Sequence, residues 1–335
     1  MATIYRDNDA SIEALNNRRI GVIGYGNQGR AQALNMRDSG LDVLVGNIED
    51  DYAVQAKSDG FDVMSISQVA READVLLILI PDEVQPAVFE QDITPHLNAQ
   101  DVLCFASGYN IFFRQIPLPD TIDVIMVAPR MIGQAVRQLY EKQEGYPCLI
   151  GVDRDASGNA HATALAIAKA IGATRLGAFE SSFEEEATID LFAEQMLWPA
   201  INRLCMLYFE KLVDRGCDPD IVATELHLSG EFLEIARAMI TEGFFKQLKL
   251  HSHTSQYGQL SRGDRMIPDS VVNEADAVLD EIKSGEFAKE WKAEQENGLP
   301  TLKALWENVQ AHPLSEAEAR LDDLRRIVAK AHLDT

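Results

Sequence analysis

Asp190 and Glu194 lie four residues apart in the company of Leu191, Phe192, Leu197 and Trp198. On a helix that spacing puts both carboxylates on one face. Acidic groups facing each other in apolar surroundings repel unless a cation lies between them or a proton neutralises one. An all-oxygen pair of this kind suits Mg²⁺, which takes one or two carboxylates and keeps its waters. Glu184, Glu185 and Glu186 precede the pair, so the segment reads equally well as a solvated acidic helix start that favours the helix dipole. A second chemical pattern is Gly24–Tyr25–Gly26–Asn27–Gln28–Gly29, a G-x-G-x-x-G string. Gly24 would allow a tight turn, Gly26 the approach of a pyrophosphate, and Gly29 close packing of helix on strand. The N-terminus of the following helix would offer its free N–H groups to the phosphates.

These residues need elements to hold them. Residues 19–23 form a short apolar run leading into the glycines, and residues 30–35 read as helix, the strand–turn–helix context of a dinucleotide fingerprint. Further apolar runs at 43–45, 75–80, 102–105 and 124–127 alternate with helical stretches such as 66–73. Such alternation predicts a parallel sheet buried on both faces. Ligands in these sheets sit beyond the carboxyl ends of the strands. Those ends carry Pro81–Asp82–Glu83–Val84–Gln85, Ala106–Ser107–Gly108–Tyr109–Asn110 and Ala128–Pro129–Arg130–Met131–Ile132–Gly133. One more strand–helix unit, 149–153 and 160–171, closes the domain near Gly177. Beyond about Glu180 the pattern is helical, with a long aromatic-rich stretch over 190–212 and a helix opened by Pro219 and broken at Gly230. The expected fold class is therefore α/β. An N-terminal Rossmann-type doubly wound parallel sheet spans residues 1–180, and an all-helical C-terminal domain, knotted or not, spans 181–335.

Composition narrows the partners. The 335 residues hold 30 Lys and Arg against 53 Asp and Glu, a formal charge of −23, which argues against nucleic acid or an anionic membrane surface. Cys104, Cys148, Cys205 and Cys217 are widely spaced, which disfavours a zinc knuckle or a disulfide framework and fits reduced thiols. The first residues carry no basic-then-apolar signal and no apolar stretch reaches membrane-spanning length, so a cytoplasmic location is expected.

Five ordered strings together resemble the ketol-acid reductoisomerase family in its short, class I form, over residue 4 to the end. They are Gly24 to Gly29, Pro81 to Gln85, Val127–Ala128–Pro129, Ile189–Asp190–Leu191–Phe192–Ala193–Glu194–Gln195, where Ile189 replaces the family's threonine, and Ser252–His253–Thr254–Ser255–Gln256–Tyr257–Gly258. The resemblance implies NAD(P)H and two Mg²⁺. It implies an alkyl migration in a 2-hydroxy-2-alkyl-3-keto acid, then ketone reduction to a 2,3-dihydroxy acid of branched-chain amino-acid synthesis. It also implies a homodimer or higher homo-oligomer with interlocked helical domains and a shared active site. Asp190 would bridge both ions, Glu194 would hold one, and Ser252 would bind the substrate carboxylate. Gly24, Tyr25, Gly26, Asn27, Gln28, Gly29, Asn47, Asp51, Pro81, Asp82, Gln85 and Gly133 would meet the cofactor. The family's second carboxylate pair, two Glu four apart contributed by the other subunit, maps to Glu225 and Glu231, which are six apart. Either a bulge at Ser229–Gly230 restores their convergence, or His227 pairs with Glu231, although Mg²⁺ prefers oxygen.

Two departures fall on catalytic positions. Ser107 stands where the family has His, and a serine is no charged proton donor near neutral pH. Arg130 stands where the family has Lys, and arginine keeps its proton. The turn Met131–Ile132–Gly133 adds apolar bulk beside the expected nicotinamide position. After the second strand, Asn47–Ile48–Glu49–Asp50–Asp51–Tyr52 offers carboxylates and no basic residue before Lys57, which favours NADH over NADPH. The leading expectation is Mg²⁺-assisted reduction of a 2-keto or ketol acid, with the alkyl shift open. The alternatives are a reductase without isomerisation and a catalytically silent nucleotide-binding protein. The β-hydroxyacid dehydrogenases share the layout, but Lys211, the first lysine of the 190–212 stretch, lies too far along to resemble their catalytic lysine.

Overall fold

The computed structural model describes residues 2–333. The chain forms two compact units that divide between Asp190 and Leu191. In the first, nine strands form one sheet: β1 (Ile4–Tyr5), β2 (Arg19–Ile23), β3 (Asp42–Gly46), β4 (Val63–Met64), β5 (Val75–Ile78), β6 (Val102–Phe105), β7 (Asp123–Pro129), β8 (Pro147–Arg154) and β9 (Gly177–Glu180). Their order is β1-β9-β8-β7-β6-β5-β2-β3-β4.

Strand side chains point alternately to opposite faces, and the central strands are apolar at nearly every position. Val75 and Leu77 therefore enter one core, with Val22 and Ile125, while Leu76 and Ile78 enter the other, with Ile23 and Met126. Both faces are covered, as the continuous apolar runs require.

The expected doubly wound parallel sheet is extended at one edge into a mixed one. From β4 through β3, β2, β5 and β6 to β7 every pairing is parallel, but β8 runs antiparallel to β7, with Pro129 opposite Cys148. The cause lies in the connection. After the helix Gly133–Glu141 the chain returns to the end where β7 finished, and Arg130 N–H donates to Pro147 C=O at 2.8 Å. From there β8 can only run back along β7. β9 is parallel to β8, and β1 closes the edge antiparallel to β9.

The second unit is helical throughout its described residues. Two π-turns, Ala193–Leu197 and Thr224–Leu228, interrupt its helices, and Gly230 takes the left-handed conformation at φ +82° before the helix Glu231–Thr241. A small core gathers Phe209, Val222, Ala223 and Ala317. Among the described residues no helix is long and apolar enough to cross a membrane, and all four cysteines are free thiols.

Candidate active site

β2 delivers the glycine string to the carboxyl end of the sheet. Gly24 has φ +93°, and a Cβ there would come within 2.7 Å of Ile80 and 2.8 Å of the Leu79 carbonyl. A Cβ on Gly29 would lie 1.9 Å from the Gly24 carbonyl, so the helix Asn27–Asp38 can start this close to the strand only over glycine. The position of a Cβ on Gly26 meets nothing within 4 Å, which leaves space for phosphates at the helix start. Tyr25 turns its ring into the core against Phe61, its hydroxyl donates to Asp59 at 3.1 Å, and its N–H donates to Asn47 Oδ1 at 2.9 Å. A cavity of about 700 Å³ runs from this loop to the next strand ends, lined by Gly26, Gln28, Asn47, Pro81, Asp82 and Ser107 among others.

The acidic segment after β3 does two jobs. Asn47 Nδ2 donates to Asp50 Oδ1 at 2.8 Å, and the same oxygen caps the helix Asp51–Ser58 by accepting Ala53 N–H at 2.9 Å. Asp51 is exposed in the first turn, and Lys57 pairs with Glu49 at 3.5 Å.

Gly133 has a packing role. A Cβ there would fall 1.9 Å from the Asn27 carbonyl, while Gln28 Nε2 donates to the Met131 carbonyl at 2.7 Å. The turn after β7 is thereby fastened to the start of the glycine-loop helix, and the expected bulk of Met131 and Ile132 is exposed on the surface.

At the ends of β5 to β7 the polar groups converge. Gln85 is buried and donates to Asp82 Oδ1 and to the Ile80 carbonyl, each at 3.0 Å. Asn110, also buried, donates to the Asp82 carbonyl at 2.9 Å and to Gln85 Oε1 at 2.9 Å. Ser107 donates to Asp82 Oδ2 at 3.3 Å and accepts Tyr109 N–H at 3.2 Å. Burial pushes the Asp82 carboxyl up to about 6, helped by the negative Glu83 and Asp190 and opposed by the Ser107 and Gln85 hydrogen bonds. Arg130 at the end of β7 spans two carboxylates, with Nη1 2.7 Å from Glu186 and Nη2 2.5 Å from Asp190. The other Glu186 oxygen accepts Gly108 N–H at 2.6 Å, and Gly108 has no room for a Cβ, which would lie 2.2 Å from the Phe183 carbonyl. Glu186 is only 2% exposed, and burial pushes its carboxyl up to about 7 against the pull of Gly108 and Arg130.

Glu186 and Asn110 were not among the expected site residues. The available signal was Glu186 standing four residues before Asp190, one helical turn, and Asn110 standing at the end of a strand-end string.

In the helical unit Glu194 lies, exposed, at the start of the first π-turn. Glu225 and Glu231 line one concavity of about 370 Å³ together with Tyr208, His251 and Ser255. The extra residue of the second π-turn and the left-handed Gly230 bring together two side chains that a regular helix would separate. The bulge therefore lies at Thr224–Leu228, one step earlier than Ser229–Gly230. His227 takes another direction and bonds Glu318 at 2.8 Å, so it does not pair with Glu231. Ser252 caps the helix His253–Met266 by accepting Ser255 N–H at 3.3 Å. Among the described residues no three His, Cys, Asp or Glu side chains gather as a preformed metal cage. The candidate donors are all carboxylates, hard oxygen ligands that fit Mg²⁺, an ion that needs only one or two of them beside water.

The comparisons with known proteins meet this geometry. Residues 14–177 match the family described as acetohydroxy acid isomeroreductase, NADPH-binding domain, and residues 183–327 match ketol-acid reductoisomerase, C-terminal domain. A Saccharolobus solfataricus relative is 43% identical over 325 residues, 95% of this chain and 97% of its own. The ketol-acid reductoisomerase (NADP(+)) of Pyrobaculum aerophilum is 44% identical over 318 residues, covering 94% and 96%. The structure of an NADH-preferring ketol-acid reductoisomerase from an uncultured archean superposes with a TM-score of 0.90 at 37% identity, covering 96% of this chain and 99% of that one. The chain belongs to the ketol-acid reductoisomerase family and is an NAD(P)H-dependent oxidoreductase of that type.

Proposed function

We propose that the protein uses NADH to reduce a 2-keto or ketol acid related to 2-acetolactate, at a Mg²⁺-assisted site, and that it reduces an already rearranged ketol acid faster than it carries out the alkyl shift. Arg130, spread between Glu186 and Asp190, is the observation that carries this reading. A guanidinium in two ion pairs supplies fixed positive charge beside the substrate and gives up no proton. Ser107, bonded to Asp82, is neutral. Alkyl migration needs deprotonation of a tertiary alcohol beside an electrophilic ketone, and neither side chain is suited to take that proton. Ketone reduction needs an oriented carbonyl and one proton, which is a smaller demand. When bound, the nicotinamide supplies the hydride, and Mg²⁺ held by Asp190, Glu194, Glu225 and Glu231 offsets charge on the substrate oxygens. Ser252 would bind the substrate carboxylate.

NADH preference is supported by Glu49, Asp50 and Asp51, because a 2′-phosphate of about −2 charge would face three carboxylates. A homodimer with a shared site is supported by the apolar surface of the helical unit.

The purified enzyme with NADH and Mg²⁺ should be offered 2-acetolactate and its 3-hydroxy-2-keto isomer in parallel. The isomer should turn over about tenfold faster or more, and Ser107→His with Arg130→Lys should narrow the gap. Equal rates on the two acids in the wild type would end this account of the substitutions.

A further inference from the structure

Asp82 is a partly buried carboxyl on the wall of the cofactor cavity, and its hydrogen-bond partners are all uncharged. Gln85 and Asn110 hold Oδ1 at 3.0 and 3.3 Å, which leaves Oδ2 to Ser107 Oγ at 3.3 Å. Ser107 lines the same cavity, and Tyr109 N–H fixes its oxygen at 3.2 Å. The charged groups facing Asp82 are Glu83 beside it and Asp190 from the helix Phe183–Phe192, both carboxylates. The nearby Tyr109 phenol is held neutral, its pKa pushed up to about 12 by burial and by Asp82. Only neutral hydrogen-bond donors, Ser107 and Gln85, favour the charged form of Asp82, and burial outweighs them, whereas Arg130 lies between the two other carboxylates of the site, Glu186 and Asp190.

We propose that Ser107 is the catalytic residue that protonates the substrate oxygen during ketone reduction, and that Asp82 is the positioning residue behind it that supplies the proton. This rests on the reductase reading given above. The ketone carbon receives the hydride from the reduced nicotinamide, and the C=O electron pair moves to oxygen. The Ser107 O–H bond breaks as that oxygen takes the hydrogen. Asp82, protonated, passes its proton to Ser107 Oγ across their existing contact and is reprotonated from solvent. The hydroxyl is thus a relay, and the pair does with a carboxyl and a serine what a single ionisable side chain could do alone. A carboxyl raised by burial to about 6 retains a protonated fraction near neutral pH, as an acid in this position must.

The test uses the full-length enzyme with NADH, Mg²⁺ and the 3-hydroxy-2-keto acid. Asp82→Asn keeps the bonds to Gln85 and Asn110, and Ser107→Ala removes the relay. Each should lower kcat by about 10²-fold, and the double variant should be no slower than Ser107→Ala, because the two act as one unit. The Kd for NADH, read by nicotinamide fluorescence, separates cofactor binding from the chemical step, and the loss in kcat should persist at saturating NADH. The wild-type kcat should fall as pH rises through the Asp82 pKa, and that limb should vanish in Asp82→Asn. Wild-type kcat in Asp82→Asn, or losses that multiply in the double variant, would overturn the relay. Infrared spectra of the cofactor-free protein separate this from the broader reading. A protonated-carboxyl band that titrates near 6, disappears in Asp82→Asn and moves in Ser107→Ala supports the pair even if neither acid is turned over. Absence of that band refutes the pair even if both are.

Discussion

Val75, Leu76, Leu77 and Ile78 in the sheet are at most 1% exposed, whereas Phe232, Ile240, Phe244 and Phe245 in the helical unit are 55%, 84%, 65% and 74% exposed. The central strands of the first unit bury their apolar side chains within its own two cores. The second makes a core of a few residues around Phe209 and leaves a broad apolar surface. These exposed apolar side chains are what the proposed homodimer would cover. On the proposed reading the contrast teaches that nucleotide binding needs one chain only, whereas the substrate and metal chemistry needs a second copy. Three experiments can break or sharpen it.

The largest effect is expected from Asp190→Asn. Asp190 is a proposed metal ligand that also accepts from Arg130 at 2.5 Å, so its loss should lower Mg²⁺-dependent turnover by about 10²–10⁴-fold, the range for removing a charged participant in the chemistry. The affinity for NADH should change less than about twofold, since the glycine loop is built by other residues. A parallel loss of NADH affinity would show that the two functions are not separable.

A charge placed on the apolar surface comes next. Phe245→Asp should shift the protein towards monomer in light scattering and lower activity about tenfold or more, an effect of the size expected for losing one buried aromatic anchor at an interface. NADH binding should persist. Full activity in a demonstrated monomer would remove the need for a second copy.

The smallest effect concerns cofactor choice, which lies wholly in the first unit. NADH should exceed NADPH in kcat/KM by about tenfold, equivalent to ~1.4 kcal/mol. Replacing Asp50 should weaken that preference and also destabilise the helix Asp51–Ser58, because the same carboxylate caps it. Asp51→Ser, at an exposed position that caps nothing, should shift preference with little change in Tm. An NADPH preference in the wild type would overturn the reading of the acidic turn.

The legibility of the sequence follows the same division. Gly24 and Gly29 could be read from residue types alone, because only glycine fits a left-handed turn under Ile80 and a helix start 1.9 Å from where a side chain would be. The central strands were equally legible, since a run such as residues 75–78 can satisfy its side chains only between two covered faces. The direction of β8 was not, because an apolar run carries no sign. Only the return of the chain to Pro147 beside Arg130 sets it. The convergence of Glu225 and Glu231 was half legible. Their six-residue spacing demanded a break in helical register, but only the structure shows the π-turn at Thr224–Leu228, with Ala223 and Leu228 buried at its two ends.

The sequence by itself determined what is local: the glycine turn, the buried strands, the acidic segment after β3, and the carboxylates available as oxygen donors. Propensity, periodicity and residue chemistry act over a few neighbours and can be read in one dimension. Tertiary structure alone decided that Arg130 lies between Glu186 and Asp190, 56 and 60 residues away, and that Ser107 meets Asp82 across 25. Those contacts depend on which strand ends lie side by side and on how closely a helix can seat on Gly108, and each is set by packing across the whole sheet.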